Sequence, residues 1–159
     1  MLSDNLETII SQLEDLTRSL FPEILAIYKD PYFKTKHKRD GSPVTEADMV
    51  AHRAIIKFLE KNHSNIPIVS EESFVQKNYK PAKEFWLIDP IDGTKGFVNH
   101  TGEFTTNIAL IQEGRPVLGV VGAPVLDKIW SGYANQLSKT SSIAKKTSKT
   151  LRIVMSKNH

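Results

Sequence analysis

The chain has 159 residues, 40% of them hydrophobic and 25% charged, a formal net charge of +3 and no cysteine. Those values describe one globular domain of common size with a packed core. They exclude disulfides, thiolate metal sites and a cysteine nucleophile. Met1 to Glu7 lacks the basic-then-apolar pattern of a signal peptide, and no apolar run is long enough to span a bilayer. A cytoplasmic protein without a transmembrane segment is therefore expected. The basic excess is modest. Lys139, Lys145, Lys146, Lys149 and Arg152 fall in a Ser- and Thr-rich stretch without interleaved aromatics, which reads as a solvated loop and not as a nucleic-acid surface.

Leu2, Leu6, Ile9, Ile10, Leu13, Leu16 and Leu20 recur at helical spacing. Pro22 is expected to end or kink that helix, or to start a second short one carrying Ile24, Leu25 and Ile27. Phe33 to Lys38 alternates weakly and predicts a strand, followed by a turn at Arg39-Asp40-Gly41-Ser42-Pro43. A second helix is predicted from Thr45, with an apolar face of Val50, Ala51, Ala54, Ile55, Phe58 and Leu59. Ile66 to Val69 predicts a short buried strand leading into Glu71, and Phe85 to Ile88 another leading into Asp89. Thr106 to Ile111 and Val117 to Val121 predict an antiparallel hairpin across Glu113-Gly114-Arg115-Pro116. Lys128 to Tyr133 adds a third strand and, after a polar loop, Leu151 to Met155 one more. Two helices followed by several strands point to an α+β layered domain without an internal linker.

Chemistry concentrates where apolar runs end in acids. Trp86-Leu87-Ile88 runs into Asp89-Pro90-Ile91-Asp92-Gly93-Thr94. In a continuing strand Asp89 and Asp92 would point to opposite faces. A tight turn can bring them together and leave the Ile91 carbonyl available as a further oxygen. The plain alternative is an Asp-rich turn, but carboxylates beside a core need a partner or a metal. Gly93-Thr94 can open a short helix, whose free N–H groups bind phosphate oxygens. Glu71 or Glu72 can add a third carboxylate. Asp48, in Thr45-Glu46-Ala47-Asp48, matches a capping box; an acid there can also hold a water. None of the histidines shows zinc-ligand spacing. No nucleophile elbow, P-loop or dinucleotide fingerprint is present. Metal-assisted attack by water is the simplest enzymatic reading.

Three motifs in order carry a resemblance: Ser42-Pro43-Val44-Thr45-Glu46-Ala47-Asp48, Ser70-Glu71-Glu72 and Asp89-Pro90-Ile91-Asp92-Gly93-Thr94. Together they resemble the signatures of the Mg²⁺-dependent, Li⁺-sensitive inositol monophosphatase superfamily. Within it, Asp92-Gly93-Thr94-Lys95-Gly96-Phe97, Gly102 to Ile111 and Leu118 to Val125 are similar to the CysQ branch of 3′(2′),5′-bisphosphate nucleotidases. Bacterial members of that branch often carry Glu where this chain has Gly96. The resemblance implies the N-terminal half of a layered sugar-phosphatase-type fold, two helices packed on a mostly antiparallel sheet. It implies that Glu71, Asp89 and the Ile91 carbonyl hold one Mg²⁺ and that Asp89 and Asp92 hold a second. Asp48 and Thr94 would orient and activate the attacking water. Ile91, Asp92, Gly93 and Thr94 would contact the substrate, with the Gly93 and Thr94 N–H groups on its phosphate. Two such ions about 3.5–4 Å apart stabilise both attacking and leaving oxygens. The implied reaction is hydrolysis of 3′(2′)-phosphoadenosine 5′-phosphate to AMP and phosphate, by a cytoplasmic protein at most peripheral to the inner membrane.

The sequence also departs from that family. The family chain continues into a second α/β half, with a Trp-Asp motif that completes the second metal site. Here Trp130 is followed by Ser131, and Ser156-Lys157-Asn158-His159 resembles only the start of the nucleotide-binding half. Residues 1–159 are expected to form a single metal- and phosphate-site domain, impaired as an enzyme and prone to self-association through the surface left by the missing half. Inositol monophosphatase activity is the alternative enzymatic reading. A non-catalytic remnant that binds Mg²⁺ and phosphate is the alternative of a different class.

Overall fold

The computed structural model describes residues 2–38, 41, 43–73, 82–133 and 136–138. The expected strand at Leu151 to Met155, the late basic stretch and Ser156 to His159 lie outside them. Among the described residues no helix is long and apolar enough to cross a membrane.

The first leucine-rich stripe forms α1 (Leu2–Lys29), a single α-helix that runs through Pro22. The expectation of a break there is corrected. A proline removes one helical N–H and crowds the carbonyl four residues back. Here Pro22 and Arg18 both lie on the exposed side of α1, where water can serve the freed carbonyl. Leu20, Phe21 and Ile24 meanwhile continue the buried stripe past the proline. Strands β1 (Thr35–His37) and β2 (Pro43–Thr45) pair antiparallel as a small separate ribbon. Helix α2 (Glu46–Asn62) follows at once, and Ala47, Ala51, Ile55 and Leu59 bury its inner stripe.

Among the described residues the main sheet has six strands in the order β3 (Ile68–Ser70), β4 (Glu84–Asp92), β5 (Thr105–Gln112), β6 (Arg115–Ala123), β7 (Lys128–Tyr133) and β8 (Gln136–Ser138). Only β3 and β4 run parallel; all later neighbours are antiparallel. As the sheet's edge, β3 is half-buried, not buried as expected. The hairpin between β5 and β6 turns on two residues, Glu113 and Gly114, both at positive φ (47° and 74°), as a twisted two-residue hairpin requires. Strand β8 lies in a stretch expected to be loop.

Helices α1 and α2 pack against each other and on one face of the sheet, α1 over β6 and β7 and α2 over β3 and β4. Trp86, Ile88, Ile108, Leu110, Leu118, Val120 and Ile129 fill the layer between them. Contact is close where α1 crosses β6: a Cβ on Gly122 would stand 2.4 Å from Thr17 Cγ2. Alternation sends Leu87 and Val121 to the opposite face, where both are exposed.

Candidate active site

The two aspartates meet by a different device from the expected turn. Strand β4 does not stop at Ile88 but continues to Asp92. Asp89 pairs with Asn107 and Asp92 with Thr105, so three steps on β4 match two on β5. One extra residue in a strand is a β-bulge, and it shifts the alternation by one. The burial pattern shows the shift: Trp86, Ile88 and Pro90 are buried in alternation, then Ile91 is buried as well. Because Asn107 and Thr105 share a face of β5, Asp89 and Asp92 share the open face of the sheet. Pro90 sits inside the bulge, where its missing N–H removes little from the ladder. Its carbonyl accepts a hydrogen bond from the buried Thr106 hydroxyl at 2.9 Å.

The chain then turns at Gly93 into the five-residue helix α3 (Thr94–Val98). Gly93 has φ 89°, and a Cβ there would stand 2.6 Å from the Glu103 carbonyl oxygen, so conformation and space both require glycine. Gly96 is constrained by space alone: a Cβ would lie 2.5 Å from that same oxygen. The N–H groups of Gly93 and Thr94 open α3, where helical N–H groups have no intrahelical acceptor.

Asp48 reaches this turn from the start of α2. Its Oδ2 accepts the Thr45 N–H at 2.7 Å and the Thr45 hydroxyl at 2.5 Å, the capping arrangement its spacing predicts. That leaves Oδ1 aimed at Thr94, whose hydroxyl lies 3.3 Å from it and 3.0 Å from the Ile91 carbonyl oxygen. The cap role and the site role are thus held by different oxygens of one fully buried carboxyl. Burial raises the Asp48 pKa, against the lowering effect of the Thr45 hydrogen bonds.

Glu71 arrives at the end of β3, where its N–H donates to the Ile88 carbonyl at 3.1 Å. This parallel register sets its carboxylate against Asp89. The Asp89 pKa is pushed up to about 8, first by burial, then by Glu71, Asp92 and Asp48. Asp89 Oδ1 is buried without a hydrogen-bond partner. All the site residues read from the sequence, Asp48, Glu71, Asp89, Ile91, Asp92, Gly93 and Thr94, therefore gather at one end of the sheet.

Three participants escaped the sequence reading. Lys38, just past β1, places Nζ 2.7 Å from Glu71 Oε1 and 2.9 Å from Glu72 Oε1. Burial opposes its charge, but the two glutamates outweigh that and raise its pKa. Asn107 Nδ2 donates to Asp92 Oδ2 at 3.1 Å. Behind Glu71, His52 Nδ1 and Ser70 Oγ share a hydrogen bond of 2.8 Å that ties α2 to β3. Lys38 had no local signal. Asn107 had a faint one, an amide directly ahead of the apolar run Ile108 to Ile111.

The donor set suits a hard divalent cation: carboxylate and carbonyl oxygens only, one of them buried and unpartnered, in a cluster whose mutual repulsion calls for positive charge. The carboxylates are gathered but not closed. Among the described residues no three His, Cys, Asp or Glu side chains already surround one point, and the Lys38 ammonium supplies positive charge beside Glu71.

A sequence profile described as the inositol monophosphatase family matches residues 5–157. The chain belongs to the inositol monophosphatase family. Among curated relatives in or near this family, the 3′(2′),5′-bisphosphate nucleotidase CysQ of Salmonella typhimurium is 42% identical over 123 residues, covering 74% of this chain and 49% of the relative. The crystal structure of CysQ from Bacteroides thetaiotaomicron, a bacterial member of the family, superposes with a TM-score of 0.59 at 37% identity, over 76% of this chain and 44% of that one. An IMPase/NADP phosphatase determined with Mg²⁺ and phosphate has a TM-score of 0.69 at 19% identity, over 86% of this chain and 50% of that one, and shows the fold alone. These matches bear out the family and the α+β fold expected from the three motifs. The chain spans about half the length of the curated relatives it matches.

Proposed function

We propose that this family member is the metal- and phosphate-binding domain of a Mg²⁺-dependent phosphomonoesterase acting on 3′(2′)-phosphoadenosine 5′-phosphate, with AMP and phosphate as products. The observation that carries the reading is the meeting of Asp48, Thr94 and the Ile91 carbonyl with Asp89, Asp92 and Glu71 at one end of the sheet. The names of the relatives at about 40% identity support the nucleotide as substrate. In this reading, nucleotide recognition belongs largely to a portion corresponding to the half of those relatives that the chain does not span.

Glu71, Asp89, Asp92 and the Ile91 carbonyl are the ligands in this reading, for two or more Mg²⁺ ions. When bound, a divalent cation polarises the phosphate and lowers the pKa of water. The remaining work belongs to the chain. With its proton turned toward Asp48 Oδ1, the Thr94 hydroxyl offers a lone pair to the attacking water and fixes its direction. Asp48, held by Thr45 and with its pKa raised by burial, suits a group that takes up a proton nearer neutral pH than an ordinary carboxylate. The Gly93 and Thr94 N–H groups, at the start of α3, face the phosphate oxygens. Self-association through the exposed sheet face belongs to the same proposal.

Phosphate release from 3′-phosphoadenosine 5′-phosphate and from inositol 1-phosphate, with Mg²⁺ and with or without Li⁺, tests it. The expected outcome is slow, Mg²⁺-dependent and Li⁺-sensitive release from the nucleotide in preference to the inositol ester. Preference for inositol 1-phosphate overturns the nucleotidase reading. Absence of release, with Mg²⁺ still raising the unfolding midpoint, makes the chain a Mg²⁺-binding module and not an enzyme.

A further inference from the structure

Asn107 stands between the two aspartates. It is directly across from Asp89 in the β4–β5 ladder, and its Nδ2 donates to Asp92 Oδ2 at 3.1 Å. Its other amide atom, Oδ1, is buried without a hydrogen-bond partner, and so is Asp89 Oδ1. Directly opposed residues of an antiparallel pair hold their Cβ atoms about 4.5–5.5 Å apart. Two buried acceptor oxygens therefore sit on neighbouring side chains, and neither satisfies the other. A cation suits the carboxylate oxygen, and an O–H or N–H hydrogen suits the amide oxygen.

We propose that Asn107 is a positioning residue of this site: its amide N–H fixes the Asp92 carboxylate, and its amide oxygen accepts a hydrogen bond from a water that enters with the cation. The chemistry requires an amide. An aspartate at 107 would face Asp92 acceptor to acceptor, and an apolar residue would leave Asp92 free to turn and offer the water nothing. The bulge makes the double contact available, because it brings Asp92 back to the face on which Asn107 and Asp89 already lie. The inference rests on the metal-site reading above. It adds a residue outside the three motifs that resemble the family.

The test is Mg²⁺ titration by calorimetry, with unfolding midpoints in EDTA and in Mg²⁺, on the full chain and on Asn107→Leu, Asn107→Ser and Asp89→Asn. Asn107→Leu, close in shape, is expected to keep about the wild-type midpoint in EDTA and to lose about 10- to 100-fold in Mg²⁺ affinity, as outer partners of metal ligands do. Asn107→Ser, which keeps a small polar group, is expected to fall between. Asp89→Asn is expected to abolish binding. A merely structural Asn107 would move the EDTA midpoint and spare the affinity of the folded protein. Wild-type affinity in Asn107→Leu, or in Asn107→Ser if the leucine variant does not fold, overturns the inference and leaves the site reading standing. Absence of Mg²⁺ binding by the wild-type chain overturns both.

Discussion

Asp89 is a carboxyl in acidic and largely dry surroundings, and its proton is tied to folding. In the unfolded chain it titrates near the ordinary 3.8, and in the fold near 8. Between those values the folded chain holds a proton that the unfolded chain has released. Stability in the absence of metal therefore falls as pH rises through that window. The expected outcome in EDTA is an unfolding midpoint that declines from the lower to the upper end of the window, with a flatter profile for Asp89→Asn. Mg²⁺ requires the ionised form, so its presence should weaken or reverse the slope. An EDTA profile that is the same for both proteins overturns this account. The residues that form the cluster were legible because each carries a local mark: Asp48 a cap spacing, Glu71 and Asp89 the end of an apolar run, Gly93-Thr94 a helix start. Lys38, Asn107 and His52 reach the site through a ribbon, a cross-strand register and a helix face. Lys38 and His52 leave no mark in neighbouring sequence, and Asn107 leaves only a faint one.

At the scale of elements, prolines caused the main departures from expectation, and both follow from what lies opposite them. Pro90 was expected to sit in a tight turn that joins two aspartates. It sits instead in a bulge, because β5 supplies pairing partners beyond Ile88 and prolongs the strand. A bulge and a turn bring the same two side chains together, so the site was legible while the strand's length was not. Pro22 was expected to end or kink α1, and the helix does not end there, because Pro22 lies on the solvent side while Leu20, Phe21 and Ile24 remain buried. A helix-interior proline costs up to about 3 kcal/mol net relative to alanine, the stiffer unfolded chain included. Pro22→Ala is therefore expected to raise stability by up to about 3 kcal/mol, read by urea denaturation. A variant no more stable than wild type would mean that α1 already escapes the proline's cost.

The described residues form two long helices on one face of a sheet, with the candidate site drawn from the β1–β2 ribbon, the start of α2, the end of β3, the bulge of β4, β5 and the turn into α3. A cation held there by Glu71 after β3 and by Asp89, Ile91 and Asp92 of β4 would lie beside Asp48 of α2, so its binding free energy would stabilise the arrangement as a whole. A ligand at about 100 times its dissociation constant adds about 2.7 kcal/mol to a protein that binds it only when folded. Mg²⁺ is accordingly expected to raise the unfolding midpoint in a concentration-dependent way that Na⁺ at equal ionic strength does not reproduce. Asp89→Asn separates this from general screening of the acidic cluster. It removes one of four crowded carboxyls and keeps their shape, so its midpoint in EDTA near pH 8 should equal or exceed that of the wild type. It also removes the oxygen placed between Glu71 and Asp92, so Mg²⁺ should no longer raise its midpoint. A Mg²⁺ response that survives in Asp89→Asn would show that the ion acts elsewhere or by screening alone. Loss of the response together with a lower EDTA midpoint would show that Asp89 holds the layers together without any ion.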